Sequence, residues 1–169
     1  APRRLSGLRI ALDCAHGSAH ASGPEAFRRL GAEVTVIGDA PNGTNINDGF
    51  GSTDPARLAR LVIESGADGG LAFDGDADRL IAVDETGTVV DGDRVLALLA
   101  LDRAERGLLA ADTVVVTVMT NLGFHRAMAQ AGIAVVTTAV GDRYVLQALD
   151  EHGWTLGGEQ SAHILSREL

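Results

Sequence analysis

The sequence contains no lysine: all 14 of its basic residues are arginine, in a chain of 169. A Schiff-base lysine and the lysine of a P-loop are thereby excluded within the chain. Any phosphate clamp it holds must use arginine, backbone amides or a metal. Cysteine is almost absent as well. The single Cys14 has no intrachain partner for a disulfide, which fits a reducing compartment. It lies in an apolar run and reads as a small buried side chain rather than a nucleophile. Positive charge is in deficit, and a formal net charge of −9 disfavours nucleic acid or an anionic membrane as partner. Aromatic residues make up only 4% of the chain, so its core must be built from aliphatics. No apolar run reaches the roughly 18 residues that would span a bilayer. Arg3-Arg4 is followed by Arg9 and Asp13 rather than by a clean apolar stretch, so no targeting signal is read there. The expected setting is the cytoplasm.

What is present is glycine, 21 residues scattered between apolar runs, the mark of many tight turns. Leu8 to Leu12 predicts a buried strand, and Pro24 to Leu30 a helix closed by Gly31. Val34 to Ile37 is β-branched and predicts a second strand. After a turn-rich stretch, Asp54 reads as the N-cap of a helix with Pro55 in its first position. Leu58, Leu61, Val62 and Ser65 continue it at i, i+3, i+4, i+7 spacing until Gly66. Two strands follow, Gly70 to Phe73 and Leu80 to Val83, on either side of an acidic loop. The helix from Asp91 to Arg103 is nearly all apolar between Val95 and Leu101, which predicts burial on most sides.

The pattern then restarts with strand Val114 to Val118, helix Leu122 to Gln130, strand Ile133 to Thr137 and helix Arg143 to Glu151. Strand alternating with helix predicts an α/β fold of mixed, mainly parallel sheets covered by helices. The restart near Glu105 to Asp112 places a domain boundary there. This reading gives one unit over 1–106 and a second, incomplete unit over 107–169.

Asp74-Gly-Asp-Ala-Asp-Arg79 is the most informative stretch. On a straight strand the outer two carboxylates would stand about 13 Å apart, too far to share an ion. The loop must curl, and Gly75 and Ala77 are small enough to let it. Three carboxylates brought together would repel and raise each other's pKa. A divalent cation relieves that conflict, and an all-oxygen set selects Mg²⁺, Ca²⁺ or Mn²⁺ over zinc. A solvated acidic turn is the bland alternative. An EF-hand is excluded because Arg79 stands at loop position 6, where that motif needs glycine. Its flanks also read as strands rather than helices.

This stretch resembles the metal-binding loop of the α-D-phosphohexomutase superfamily. Gly158-Glu-Gln-Ser-Ala-His163 resembles the sugar-binding loop of the same superfamily, at a similar distance along the chain. Pro41-Asn-Gly-Thr-Asn-Ile-Asn47 and Val140-Gly-Asp-Arg-Tyr-Val145 are similar to segments of one branch, the bacterial phosphoglucosamine mutases. The resemblance implies a four-domain enzyme of which this chain covers the second domain and the start of the third. It implies Mg²⁺ on Asp74, Asp76 and Asp78, with a phosphoserine supplied by another domain. A bisphosphorylated sugar would be the intermediate, and a hexosamine phosphate (glucosamine 6-phosphate becoming glucosamine 1-phosphate) the substrate. Partners would be the remaining domains of the same enzyme, with a homodimer left open.

Residue by residue, Glu159 and Ser161 carry over as ligands of sugar hydroxyls, and His163 as a group able to exchange a proton with one of them. Arg79 would add positive charge near the transferring phosphoryl group or pair with a carboxylate of the loop. Asp142 and Arg143 match the segment that influences sugar choice, although Asp142 also suits an N-cap. Ala162 and His16 depart from the branch, which has glycine and asparagine there. His16 lies in a turn able to bind an anion but reads first as structural, and His20, His125 and His152 read as surface residues. Ser6, Ser18, Ser22, Ser52 and Ser65 lack the context of the family's nucleophile. The 169-residue chain alone is therefore expected to show no turnover. A phosphomannomutase or phosphoglucomutase is the alternative with the same chemistry, and a non-catalytic cation-binding module the alternative from another class.

Overall fold

The computed structural model describes residues 4–167. Arg3, half of the paired arginines, lies outside the described residues. The chain divides into two compact units, 1–90 and 91–169.

In the first unit, strand β1 (Arg9–Asp13) leads to helix α1 (Ser22–Arg29), strand β2 (Glu33–Ile37) and helix α2 (Ala56–Ser65). Strands β3 (Gly69–Phe73), β4 (Leu80–Asp84) and β5 (Val89–Val90) complete it. They form one sheet in the order β2-β1-β3-β4-β5. The first three strands are parallel, and β4 and β5 turn back antiparallel. Leu58 and Val62 of α2 are fully buried, and they pack with Ala11, Ala72 and Val83 of the sheet. Each such side chain contributes about 1.5–3 kcal/mol of burial. Gly70 makes the approach possible, since a Cβ there would stand 2.7 Å from Val62 Cγ2.

The second unit repeats the plan. Helix α3 (Gly92–Glu105) precedes strand β6 (Thr113–Thr117), helix α4 (Leu122–Gln130), strand β7 (Ala134–Thr138) and helix α5 (Asp142–His152). Strands β8 (Leu156–Gly158) and β9 (Ile164–Ser166) follow. The sheet order is β7-β6-β8-β9, with β6, β7 and β8 parallel and β9 antiparallel to β8. All five residues of β6 are buried, as befits a central parallel strand covered on both faces. One core sets Val114 and Val116 against Leu96, Phe124 and Met128; the other sets Val115 against Val145 and Leu149.

The divide between units falls at 90/91 rather than near 106, because α3 packs with the second sheet: Leu96 and Ala100 belong to its core. Nor is α3 enclosed on most sides. Leu98 is 62% exposed and Leu99 38% exposed. Two expected caps also differ. Pro55, not Asp54, holds the N-cap of α2, and no side chain caps it. Gly141 holds the N-cap of α5, while Asp142 sits in the first turn and accepts from the Arg143 amide at 2.7 Å. Strands β5, β8 and β9 had no counterpart in the sequence reading. Each is only two or three residues long, too short to show alternation.

Candidate metal and sugar-binding loops

Residues 74–79 join the antiparallel pair β3 and β4. Asp74 is buried and Asp76 and Asp78 are exposed, and one carboxylate oxygen from each lies within 4.8 Å of the others. The curl comes from a turn in which the Ala77 amide donates to Asp74 O at 3.1 Å, with Ala77 itself left-handed at φ 64°. Such a spread suits an octahedral oxygen site, whose neighbouring and opposite ligands stand ~3 and ~4.2 Å apart. The donor set is hard oxygen throughout and fits a divalent cation.

Arg79 organises the cluster. Its Nε donates to Asp74 Oδ2 at 2.6 Å and its amide donates to Asp74 Oδ1 at 3.1 Å, while Nε lies 3.5 Å from Asp78 Oδ1. Burial pushes the Asp74 carboxyl up, yet the hydrogen bonds and charge of Arg79 outweigh it and hold the carboxyl below its ordinary value. Arg79 therefore fills the ion-pair role. Each Asp74 oxygen keeps a second lone pair for a cation.

A cradle of backbone holds the loop from below. The Ser18 amide donates to Gly75 O at 2.8 Å, and a Cβ on Gly17 would lie 2.3 Å from that oxygen. Above, a Cβ on Gly75 would lie 2.7 Å from Ile46 Cδ1 and 2.8 Å from Asn47 Nδ2. The 41–47 segment thus packs directly on the acidic loop. Asp13 anchors the same cradle. Fully buried, it accepts from the Ala15 amide at 2.9 Å and the Gly51 amide at 2.8 Å. Burial raises its carboxyl, partly offset by those two bonds. Sequence reasoning passed over Asp13, although a carboxylate closing an apolar strand was a usable signal. His16 is structural: its Nδ1 accepts from the Ala40 amide at 3.2 Å and its ring meets Phe50 edge-on at 4.5 Å. Cys14 is buried, and burial followed by the charge of Asp13 pushes its thiol up to about 11.

In the second unit, residues 159–163 join β8 to β9 in the corresponding place. The Glu159 amide donates to His163 O at 3.0 Å, and the Ala162 amide donates to Glu159 O at 2.9 Å. Ala162 is left-handed at φ 67°, a conformation that glycine adopts without cost. Glu159 reaches across to the start of α5, where Oε1 accepts from the Gly141 amide at 2.9 Å. His163 Nε2 stands 3.9 Å from Asp142 Oδ2. Glu159, His163 and Asp142 are thereby brought together, with Ser161 half-buried on the same loop. Arg143 lies over the Tyr144 ring at 4.5 Å and donates to its hydroxyl at 2.5 Å. The loop rests on α3: a Cβ on Gly92 would lie 2.4 Å from the Ala162 amide nitrogen and 2.5 Å from Gln160 O.

Residues 1–87 match the family described as phosphoglucomutase/phosphomannomutase, alpha/beta/alpha domain II, and residues 91–169 match domain III of the same family. A phosphoglucosamine mutase of Leifsonia xyli is 58% identical over 97% of this chain. The chain spans 36% of the length of that relative. A phosphoglucomutase/phosphomannomutase family protein of Burkholderia thailandensis superposes with a TM-score of 0.85 at 25% identity, over 95% of this chain and 35% of that one. An N-acetylphosphoglucosamine mutase of Aspergillus fumigatus, solved with GlcNAc-6P and magnesium, gives a TM-score of 0.72 at 22% identity over 94% of this chain and 33% of that one. The two hairpin loops thus stand on domains of known kind, and the chain belongs to the phosphoglucomutase/phosphomannomutase family.

Proposed function

We propose that this chain forms the metal-binding and sugar-binding domains of a phosphoglucosamine mutase, which interconverts glucosamine 6-phosphate and glucosamine 1-phosphate. The observation that carries the reading is the 58% identity to a phosphoglucosamine mutase across 97% of the chain. Asp74, Asp76 and Asp78 hold the metal, taken as Mg²⁺ because the donors are all oxygen and because the Aspergillus fumigatus relative was solved with magnesium. Bound there, the ion supplies positive charge to a transferring phosphoryl group. Phosphoryl transfer asks little covalent chemistry of the protein and much positioning and charge stabilisation.

The remaining steps fall to the chain's own residues. Arg79 fixes the Asp74 carboxylate and keeps it ionised over the physiological range. Its side chain is 41% exposed, so it also serves as a source of positive charge toward solvent. Glu159 and Ser161 accept and donate hydrogen bonds to sugar hydroxyls. The Gly141 amide presets the Glu159 carboxylate, which limits the rotamer freedom lost on binding. His163 exchanges a proton with a sugar hydroxyl, beside the Asp142 carboxylate, whose Oδ2 lies 3.9 Å from its Nε2. The phosphoserine and the phosphate clamp lie elsewhere in the full-length enzyme.

The test is a magnesium-dependent assay of the full-length protein with glucosamine 6-phosphate, glucose 6-phosphate and mannose 6-phosphate, compared by kcat/KM. Preference for the amino sugar is expected, with Asp76→Asn lowering kcat by at least about a hundredfold. Preference for glucose or mannose would reassign the substrate and keep the chemistry. Full activity in Asp76→Asn would end the metal assignment.

A further inference from the structure

Helix α3 meets the β8–β9 hairpin at both of the helix's ends. At its far end Arg103 grips the base of the hairpin: Nη1 donates to Thr155 O at 3.1 Å and Nη2 donates to Ser166 Oγ at 2.7 Å. At its near end Gly92 meets the tip, where a Cβ would lie 2.4 Å from the Ala162 amide nitrogen and 2.5 Å from Gln160 O. No side chain fits between the two backbones there. A shift of the first turn of α3 is therefore passed directly to residues 160–162, and so to the placing of Glu159 and Ser161.

Apolar packing does little to hold that first turn. The core contacts of α3 come one and two turns later, from Leu96 and Ala100. Between the starts of α3 and α4 lies a cleft of about 310 Å³, lined by Asp93, Arg94 and Ala97 of one helix and Asn121, Phe124 and Ala127 of the other. What joins the two helix starts is a pair of hydrogen bonds. Asp93 Oδ2 accepts from both the amide and the side-chain Nδ2 of Asn121, at 2.8 and 2.7 Å. Asn121 is itself fixed, because its Oδ1 caps α4 by accepting from the Phe124 amide at 3.0 Å. Asp93 is only 3% exposed. An aspartate is seldom buried so deeply unless it is paired, and hydrogen bonds to an ionised carboxylate are among the strong ones.

We propose that Asp93 is a positioning residue for sugar binding. Its clasp on Asn121 fixes the first turn of α3, and Gly92 in that turn fixes the backbone that carries Glu159 and Ser161. The contact with sugar is made by the loop, and the carboxylate that sets the loop acts from the other side of Gly92. The inference deepens the sugar-binding role proposed above and rests on it for its kinetic consequence; the support of the loop by Asp93 does not depend on that role.

The experiment compares three forms of the full-length protein: wild type, Asp93→Ala and Asn121→Ser. The second variant is the gentler one. Serine keeps a cap for α4 and the backbone amide that Asp93 accepts from, so only the Nδ2 bond is lost. The first readout is hydrogen exchange without substrate. The Glu159 and Ala162 amides, both bonded within the loop, should exchange about tenfold faster in Asp93→Ala and about threefold faster in Asn121→Ser. Residues 70–84 serve as control and should not change. The second readout is kinetic. KM for the sugar phosphate should rise by similar factors with kcat nearly kept, the pattern of lost uniform binding, whereas simple loss of folded enzyme would lower kcat at constant KM. The double variant should be no worse than Asp93→Ala alone, since Asn121 acts on the loop through Asp93. Unchanged loop exchange, effects that multiply in the double variant, or a fall in kcat at constant KM would each overturn the proposal. If Asp93→Ala does not fold, Asn121→Ser alone decides by the same two readouts. Wild-type protein without mutase turnover would defeat the proposed function instead and leave the exchange experiment decisive for the support of the loop.

Discussion

The acidic loop and the 159–163 loop, proposed above to bind the sugar, occupy the same place in two sheets of the same plan. Each joins a parallel strand to its antiparallel neighbour, β3 to β4 and β8 to β9. Each is closed across its base, Asp74 N to Arg79 O and Glu159 N to His163 O. Each contains a four-residue turn ending in a left-handed alanine, Ala77 and Ala162. They differ in where the first acidic side chain goes. Asp74 spends both oxygens on Arg79 inside its own loop, whereas Glu159 reaches out to the Gly141 amide at the start of α5. The first arrangement gathers carboxylates around a point. The second leaves the loop dependent on other elements, α5 through Gly141 and α3 through Gly92.

The largest expected effects come from separating the two loops by single methyl groups. Gly17→Ala drives a Cβ into the backbone of Gly75, and Gly92→Ala drives one into the backbone of Ala162 and Gln160. Each should cost about 1–3 kcal/mol by forcing backbone to move. Gly17→Ala should weaken divalent-cation affinity, measured by calorimetry, about tenfold or more. Gly92→Ala should leave that affinity alone and raise KM for the sugar phosphate. Both variants altering both quantities would show that the two loops are coupled.

A smaller effect sharpens the claim that Asp74 is satisfied locally. Its carboxyl titrates in the folded state below the ordinary 3.8. The pairing therefore contributes stability above that value, which is lost as pH falls through the folded pKa. Arg79→Gln removes the guanidinium's hydrogen bond and charge but keeps the amide of residue 79, so the folded pKa rises and the contribution shrinks. With metal chelated, the urea midpoint of the wild type should fall between pH 5 and 3, and that of Arg79→Gln should fall less. Parallel curves would mean that Arg79 does not govern Asp74.

The smallest effect tests the shared turn. Ala77→Gly should stabilise the protein by about 0.5–1 kcal/mol by relieving the left-handed alanine. Ala162→Gly should gain less, because its methyl is buried and is lost. Thermal unfolding of the two variants side by side reads the difference; destabilisation by both would mean that the alanine conformation costs nothing here.

Of these features, the acidic loop was the most legible in the sequence, because three aspartates at alternate positions carry their own explanation. The helices with clear 3.6-residue spacing were legible too: α4 was placed at its observed bounds. What the sequence did not carry is what depends on partners far along the chain. Strand β8 is Leu-Gly-Gly, whose glycines offer no alternation; it is a strand because β6 and β9 pair with it. The boundary at 90/91 was hidden because α3 looks apolar all round, and only its packing with β6 and α4 shows to which unit it belongs. Asp93 read as part of a helix start. Its bonds to Asn121, 28 positions away, are a tertiary fact.

The repeated hairpin position has an evolutionary reading. A loop that closes on its own two strands can exchange its side chains while the sheet beneath keeps its sequence. One scaffold used twice can thus carry two chemistries, aspartates at one tip and a Glu-Gln-Ser run at the other. Under the proposed function, selection is free to revise the sugar preference at one tip while the other keeps its metal ligands, which would let a lineage diversify its substrates without reinventing its reaction.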